Sequence, residues 1–297
     1  MENIFITGAG GFVGKNLIDY LKSNYQFRIF NKDESILIHS HIVVHLAGKA
    51  HDLKNVSDAS EYYTVNAELT KKIFDAFLLS DAKVFITLSS VKAVADTLKL
   101  ALTEDYPPNP TTHYGKSKLL AEQYILSKSI PQGKRIYILR PCMIHGPGNK
   151  GNLNLLYKIV SKGFPWPLGA FENKRSFCSI DNLCFIINEL INHEAIPSGI
   201  YNVADDEPMA TNDLIKLIAE SQGKKYNIWN VPKSVIKILA KVGDFLKLPF
   251  NSERVNKLTE TFIISNKKII TNINKPLPLS AKEGLMKTLN SFNTNVK

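Results

Sequence analysis

With 297 residues, 44% of them hydrophobic, the chain can bury a full core and suits one large α/β domain with a smaller appendage. Its net charge of +10 raises nucleic acid as a partner, but the lysines are scattered rather than blocked, which argues against it and suits a small polyanionic ligand. No apolar run reaches the length of a transmembrane span, the first strand leaves no room for a signal peptide, and Cys142, Cys178 and Cys184 read as reduced thiols, so a cytoplasmic protein is expected.

In chain order, Ile4-Phe5-Ile6-Thr7 reads as a strand that passes into glycines at 8, 11 and 14. Val13, Leu17, Ile18 and Leu21 then fall on one side of a helix. A strand, a glycine turn and a helix N-terminus form a cradle for a dinucleotide pyrophosphate, because backbone N–H groups and the helix dipole both favour the anion. Phe27-Arg28-Ile29-Phe30 is a second strand, ending at Asn31-Lys32-Asp33. The acidic residue that grips the ribose diols of NAD is expected at such an end. Asn31 or Asp33 could serve there, Lys32 could equally meet the 2′-phosphate of NADP, and a solvated turn is as plain a reading. The stretch from there to the strand Ile42-Val43-Val44-His45 is too short for a helix plus a strand. One βα unit is therefore read as lost or reduced to Ile36-Leu37-Ile38.

His45-Leu46-Ala47-Gly48 closes a buried strand with small residues where a flat ligand could lie, and is also an ordinary strand end. Val65-Asn66-Ala67-Glu68 is expected to open a long helix through Leu69, Ile73, Phe74 and Phe77. Val84-Phe85-Ile86-Thr87-Leu88 is the next strand, with Ser89 and Ser90 at its C-terminal edge. Tyr114 and Lys118 in Tyr114-Gly115-Lys116-Ser117-Lys118 are one helical turn apart. An ammonium so placed would help a tyrosine act as a base near neutrality, and the Ser90 hydroxyl could hold a substrate oxygen. No histidines and cysteines fall at ligand spacing, so no metal site is expected.

Further on, Gly151-Asn152-Leu153 begins a helix, and the Asn152 amide could donate to a diphosphate. Phe164-Pro165-Trp166-Pro167-Leu168-Gly169 is an apolar strip that could lie against a uracil or simply pack as a loop. Ile180 to Leu190 reads as a helix and Ile200-Tyr201-Asn202-Val203 as a strand. Ser234 to Leu248 reads as a basic amphipathic helix, for which packing within the cap is favoured over membrane contact.

These motifs, with Leu139-Arg140-Pro141, Gly146-Pro147-Gly148, Arg175-Ser176-Phe177 and Ile180-Asp181-Asn182-Leu183, resemble the extended short-chain dehydrogenase/reductases of the NAD-dependent epimerase/dehydratase type. The resemblance implies a Rossmann-type doubly wound parallel sheet (residues 1–145 and 178–203) and a smaller nucleotide-sugar cap (146–177 and 204–297). It implies Tyr114 as acid/base, Lys118 as its partner and Ser90 as the hydroxyl at the reacting oxygen. Gly8, Gly11, Phe12, Val13, Gly14, Asn31, Lys32, Leu46, Ala47, Gly48, Asn66, Tyr114, Lys118 and Pro141 would hold NAD or NADP. Ser90, Asn152, Leu168 and Arg175 would hold a UDP-sugar, with Arg175 at the diphosphate, and a homodimer is compatible with it. Related dehydratases carry Asp-Glu where Val91-Lys92 stands, which disfavours 4,6-dehydration, and Val94-Ala95 replaces a common Tyr-Gly. The pattern is most similar to bacterial members that reduce UDP-linked 4-keto, N-acetylated 6-deoxy sugars for surface polysaccharides. A UDP-sugar 4-epimerase with retained NAD and a non-catalytic dinucleotide sensor are the alternatives.

Overall fold

Apolar runs alternating with amphipathic segments fold as parallel strands joined by crossover helices. The computed structural model describes residues 2–31, 35–50, 58–149, 151–248 and 250–293, without the side chains of residues 152 and 293. The first half contains β1 (Glu2–Thr7), α1 (Phe12–Leu21), β2 (Tyr25–Ile29), β3 (Ile42–His45), α2 (Ala59–Tyr62), α3 (Leu69–Leu79), β4 (Val84–Leu88), α4 (His113–Leu126) and β5 (Arg135–Pro141). It continues with β6 (Met143–His145), α5 (Asn152–Ser161), β7 (Lys174–Arg175), β8 (Phe177–Ser179), α6 (Ile180–Asn192), β9 (Gly199–Val203) and β10 (Met209–Ala210). The helices α7 (Thr211–Ser221), α8 (Lys233–Phe245), α9 (Ser252–Thr259), α10 (Lys267–Ile273) and α11 (Ala281–Asn293) complete the chain.

The main sheet has six parallel strands in the order β2-β1-β3-β4-β5-β9. The chain leaves β1 toward β2 and returns to its other side as β3, so the order reverses between β1 and β3. Ligand crevices of open α/β sheets form at such a switch point. β2 is an edge strand, as expected of a sheet whose next βα unit is shortened. Of the remnant, Ile38 is buried beside Phe5, Ile36 packs partly against the same cluster, and Leu37 is exposed.

Alternation sorts the strands onto two covered faces. Ile4, Ile6, Val44, Ile86 and Leu139 meet Leu17 of α1 and Leu183, Ile186 and Leu190 of α6. Phe5, Val43, Phe85 and Ile138 meet Phe74 and Phe77 of α3 and Ile125 of α4. A separate core fills the cap, where Leu153, Leu156 and Val160 of α5 pack with Leu214, Ile215 and Ile218 of α7 and Leu285 and Leu289 of α11. The packing departs from the expected division in one place. Ile269 and Ile273 of α10 belong to the sheet's core, so the stretch after residue 204 is not cap throughout.

A polar pin joins the two units. Asp205, 2% exposed, accepts hydrogen bonds from Ser179 N at 2.9 Å and Asn182 Nδ2 at 2.7 Å. His145 lies 3.5 Å from the same carboxylate, and its Nδ1 is 2.9 Å from Thr288 Oγ1 on α11.

Candidate active site

The glycine turn after β1 is built by close approach. Gly8 has φ +72°, and a Cβ on Gly14 would come within 2.3 Å of Gly8 O, so α1 can pack on the turn only with glycine there. Gly11 caps α1 without any side-chain bond, and the first turn carries no acidic residue. Phe12 and Val13, which open the helix, pack their side chains against the core. Their backbone at the helix start and the open space above Gly10 form a cradle with the donors a pyrophosphate needs. The residues present therefore fit a dinucleotide.

Beside the turn, β3 delivers Leu46, Ala47 and Gly48. Ala47 N donates to Thr7 Oγ1 at 3.1 Å, and Thr7 Oγ1 lies 2.7 Å from His45 Nδ1. On the ring's other side, His45 Nε2 is 2.9 Å from Thr70 Oγ1, which donates to Asn66 O at 2.8 Å. Only one arrangement of protons satisfies all four bonds: Thr7 donates to Nδ1, and Nε2–H donates to Thr70. Burial and the nearby Lys118 ammonium push the His45 pKa down to about 3, so the ring is neutral. Sequence reasoning treated His45 only as part of a strand end. Its signal was a pair of polar side chains, Thr7 and His45, each at the end of an apolar run.

Asn66 is fully buried, but the helix around it differs from expectation. Helical structure begins at Ala59 rather than near Val65, and Tyr63–Glu68 is a single π turn before α3. Such widened turns reorient side chains. Here the Asn66 amide bridges two segments, donating to Lys49 O at 3.1 Å and Ser117 Oγ at 3.0 Å while accepting from Lys49 N at 2.8 Å.

Ser90, Tyr114 and Lys118 converge at the C-terminal end of β4. Ser90 caps a short 3-10 turn, Val91–Ala93, and accepts from Lys92 N at 3.2 Å. Tyr114 sits in the first turn of α4, capped by Thr112 Oγ1 accepting from Gly115 N at 3.1 Å. A Cβ on Gly115 would lie 2.3 Å from Lys92 O, so the glycine lets α4 press against the turn that carries Ser90. Ser90 is hydrogen-bonded to the Tyr114 phenol. Burial holds that phenol above its ordinary pKa of 10.0, Ser90 draws it back, and the Tyr62 ring, edge-on at 6.2 Å, adds to the rise. The expected help from Lys118 is not seen in the protein's own groups, because its ammonium is turned to Leu88 O at 2.8 Å. Lys118 is 7% exposed, and burial lowers its pKa from 10.5 to about 8, partly offset by Glu122. A Cβ on Gly48 would lie 3.0 Å from its Nζ and 3.2 Å from Asn66 Oδ1, so the glycine borders both side chains.

Glu122 escaped sequence reasoning, although it continues the spacing of Tyr114 and Lys118 by one more turn. It receives Arg140 Nε at 2.9 Å and Nη2 at 2.6 Å, and Ser89 Oγ donates to it as well. Both charges are almost fully buried, so this pair fixes α4 to the ends of β4 and β5.

The other expected ligand residues divide. Pro141 is buried at the end of β5 beside Val203. Asn31 is exposed just after β2, while Lys32 and Asp33 lie outside the described residues. Asn152 starts α5, and its side chain is likewise outside them. Arg175 is half-buried on β7, donates to Lys257 O, and is close enough to Lys92 and Cys142 to act on their charges. It is therefore brought toward the loop that carries Ser90. Leu168 is 3% exposed in the cap core with its backbone bridged to Asn230, so its side chain is turned away from solvent. Trp166 is buried too, bonded to Asn212 at 3.2 Å, and Phe164 is the exposed member of that strip. Val94 and Ala95 are buried in a satellite core with Phe262. Lys92 reaches Asp96 O at 2.8 Å and lies over the Phe262 ring at 4.4 Å.

Residues 4–204 match the model of the NAD dependent epimerase/dehydratase family. The chain is 29% identical to a UDP-glucose 4-epimerase of Vibrio cholerae, covering 98% of this chain and 95% of that one. It is 27% identical to an N-acetyl-alpha-D-glucosaminyl-diphospho-ditrans,octacis-undecaprenol 4-epimerase of Escherichia coli O157:H7, covering 97% and 94%. Its fold matches that of a UDP-N-acetylglucosamine 4-epimerase from Bacillus cereus with a TM-score of 0.75 at 18% identity, covering 97% and 98%.

Proposed function

Because the chain belongs to the NAD dependent epimerase/dehydratase family, we propose that it is a nucleotide-sugar oxidoreductase acting at C4 of a UDP-linked, N-acetylated 6-deoxy hexose. The observation that carries this reading is the convergence of Ser90, Tyr114 and Lys118 beside the glycine turn. A nicotinamide held at the glycine turn would supply the hydride chemistry and, in its oxidised form, a positive charge beside Tyr114. Tyr114 Oη gives its proton to the C4 oxygen in reduction and takes it back in oxidation. Ser90 Oγ orients that oxygen, and Asn66 holds the start of α4 against β3 through Ser117. Lys118, whose ammonium donates to Leu88 O, would hold the cofactor ribose and bring a cation to the site. Arg175, near the mouth of this site, is assigned to the diphosphate.

The open edge at β2 favours an exchanging cofactor, and hence a reductase or dehydrogenase. A C4 epimerase with retained NAD is the second reading, favoured by two relatives named as 4-epimerases that span nearly the whole chain. The two differ in stoichiometry. Incubation with UDP-linked 4-keto sugars and NADH or NADPH should oxidise about one cofactor per sugar reduced. Protein that purifies with tight NAD and interconverts C4 epimers without added cofactor would overturn the reductase reading. The sensor alternative predicts neither activity, and the intact Ser90–Tyr114 contact speaks against it.

A further inference from the structure

The cap carries an apolar surface that the chemistry of the site does not use. Helix α8 buries a narrow face, Ile236, Ala240 and Gly243, against the cap. At 3.6 residues per turn, Val235, Leu239, Val242 and Leu246 form the neighbouring stripe, with Ile238 and Phe245 at its far side. All six are exposed, Phe245 at 86%. Lys233, Lys237 and Lys241 occupy the opposite flank, and Lys241 borders Ile238 and Phe245. Among the described residues, none of these three lysines has an ion pair. The helix's carboxylate, Asp244, is occupied in accepting from Ser252 N at 2.9 Å.

We infer that this face docks the cap onto an anionic lipid bilayer surface. An exposed apolar stripe edged by uncompensated lysines matches a layer that offers hydrocarbon below and phosphates at its rim, with the lysine stems reaching up to the headgroups. The chain's charge of +10 acts in the same direction. A second copy matches less well, because apposed α8 helices would bring lysine rows together. The 13-residue helix, about 20 Å long and about 10 Å wide, also presents a face of only roughly 200 Å², well short of the roughly 800 Å² per partner of a stable interface. No helix among the described residues is long and apolar enough to cross a membrane, so the contact is one of surface attachment. Neither the sugar nor the reaction enters this inference.

The test uses the full chain without substrate, sedimented with vesicles of phosphatidylcholine alone or containing roughly 30% phosphatidylglycerol. Binding to the anionic vesicles should exceed binding to the neutral ones by about tenfold or more and should fall at high salt. The double variant Ile238→Ser/Phe245→Ser removes exposed groups only, so it should melt like the parent yet lose at least roughly tenfold in vesicle binding. Failure of the parent to bind anionic vesicles, or equal binding by parent and variant, overturns the inference. A dimer in sedimentation velocity that the same variant dissociates would assign the face to a second copy and overturn it too.

Discussion

Replacing Lys118 by Met should abolish turnover and yet remove a burden on folding, because the buried ammonium is held at an energetic disadvantage. A lysine whose pKa falls from 10.5 to about 8 keeps its proton at neutral pH at a cost of about 3 kcal/mol in the folded state. The sign follows from proton uptake. Below about pH 8 both folded and unfolded chains are protonated at this position and the whole cost is present. As pH rises from about 8 to 10.5, the folded protein releases the proton first and the cost fades. The methionine is near in length and apolar, and it leaves Leu88 O without its 2.8 Å donor, a loss of about 1 kcal/mol. Urea unfolding of both proteins should therefore show the variant more stable by about 2 kcal/mol near pH 7. The parent should recover about 2–3 kcal/mol relative to it by about pH 10. A stability difference that does not change over that range would refute the reasoning, whatever its size.

Tyr114→Phe keeps the ring against Tyr62 but removes the proton carrier, and turnover measured by mass should fall roughly 100- to 10,000-fold with dinucleotide binding retained. Arg175→Ala should weaken the UDP-sugar by about 1.5–3 kcal/mol in calorimetry. Its effect on the dinucleotide should be small, and equal losses for both ligands would place Arg175 elsewhere. Gly14→Ala puts a methyl 2.3 Å from Gly8 O and 2.8 Å from Ala9 Cα, so the turn must shift. Dinucleotide affinity should fall sharply and stability drop by about 1–3 kcal/mol, checked by fluorescence titration and thermal melting.

Strands, the glycine turn and the Tyr114–Lys118 spacing were legible because each depends on local periodicity or on a backbone that only glycine can adopt. The shortened βα unit was legible from the few residues that separate the end of β2 from the start of β3. What escaped depends on partners far apart in sequence. Glu122 has meaning only beside Arg140 and Ser89, and the His45 chain needs Thr7 and Thr70. The π turn at Tyr63–Glu68 left no mark in the hydrophobic pattern, since one widened turn shifts the phase without breaking the helix. The proline-rich apolar strip around Leu168 suited a ligand wall or a packed loop equally from sequence, and the side chains of Leu168 and Trp166 are buried in the second core. The pull of Lys118 on Tyr114 was argued from spacing, which places the two on one helix face but does not say that the ammonium turns to Leu88 O.

The pin through Asp205 also sets an order of events during synthesis. The pairings of β1 to β5 can form as the strands leave the ribosome, since they lie within the first half of the chain, but one face of the sheet waits for α6 and α10 to cover it. His145 cannot find Thr288, nor the cap core Leu285 and Leu289, until nearly the last helix has emerged. A nascent chain can therefore hold a formed glycine turn and a placed Tyr114 while the core of α5, α7 and α11 is still open. Chains stalled before α11 should be captured by chaperones or proteases first around α5 and α7, whose core lacks Leu285 and Leu289.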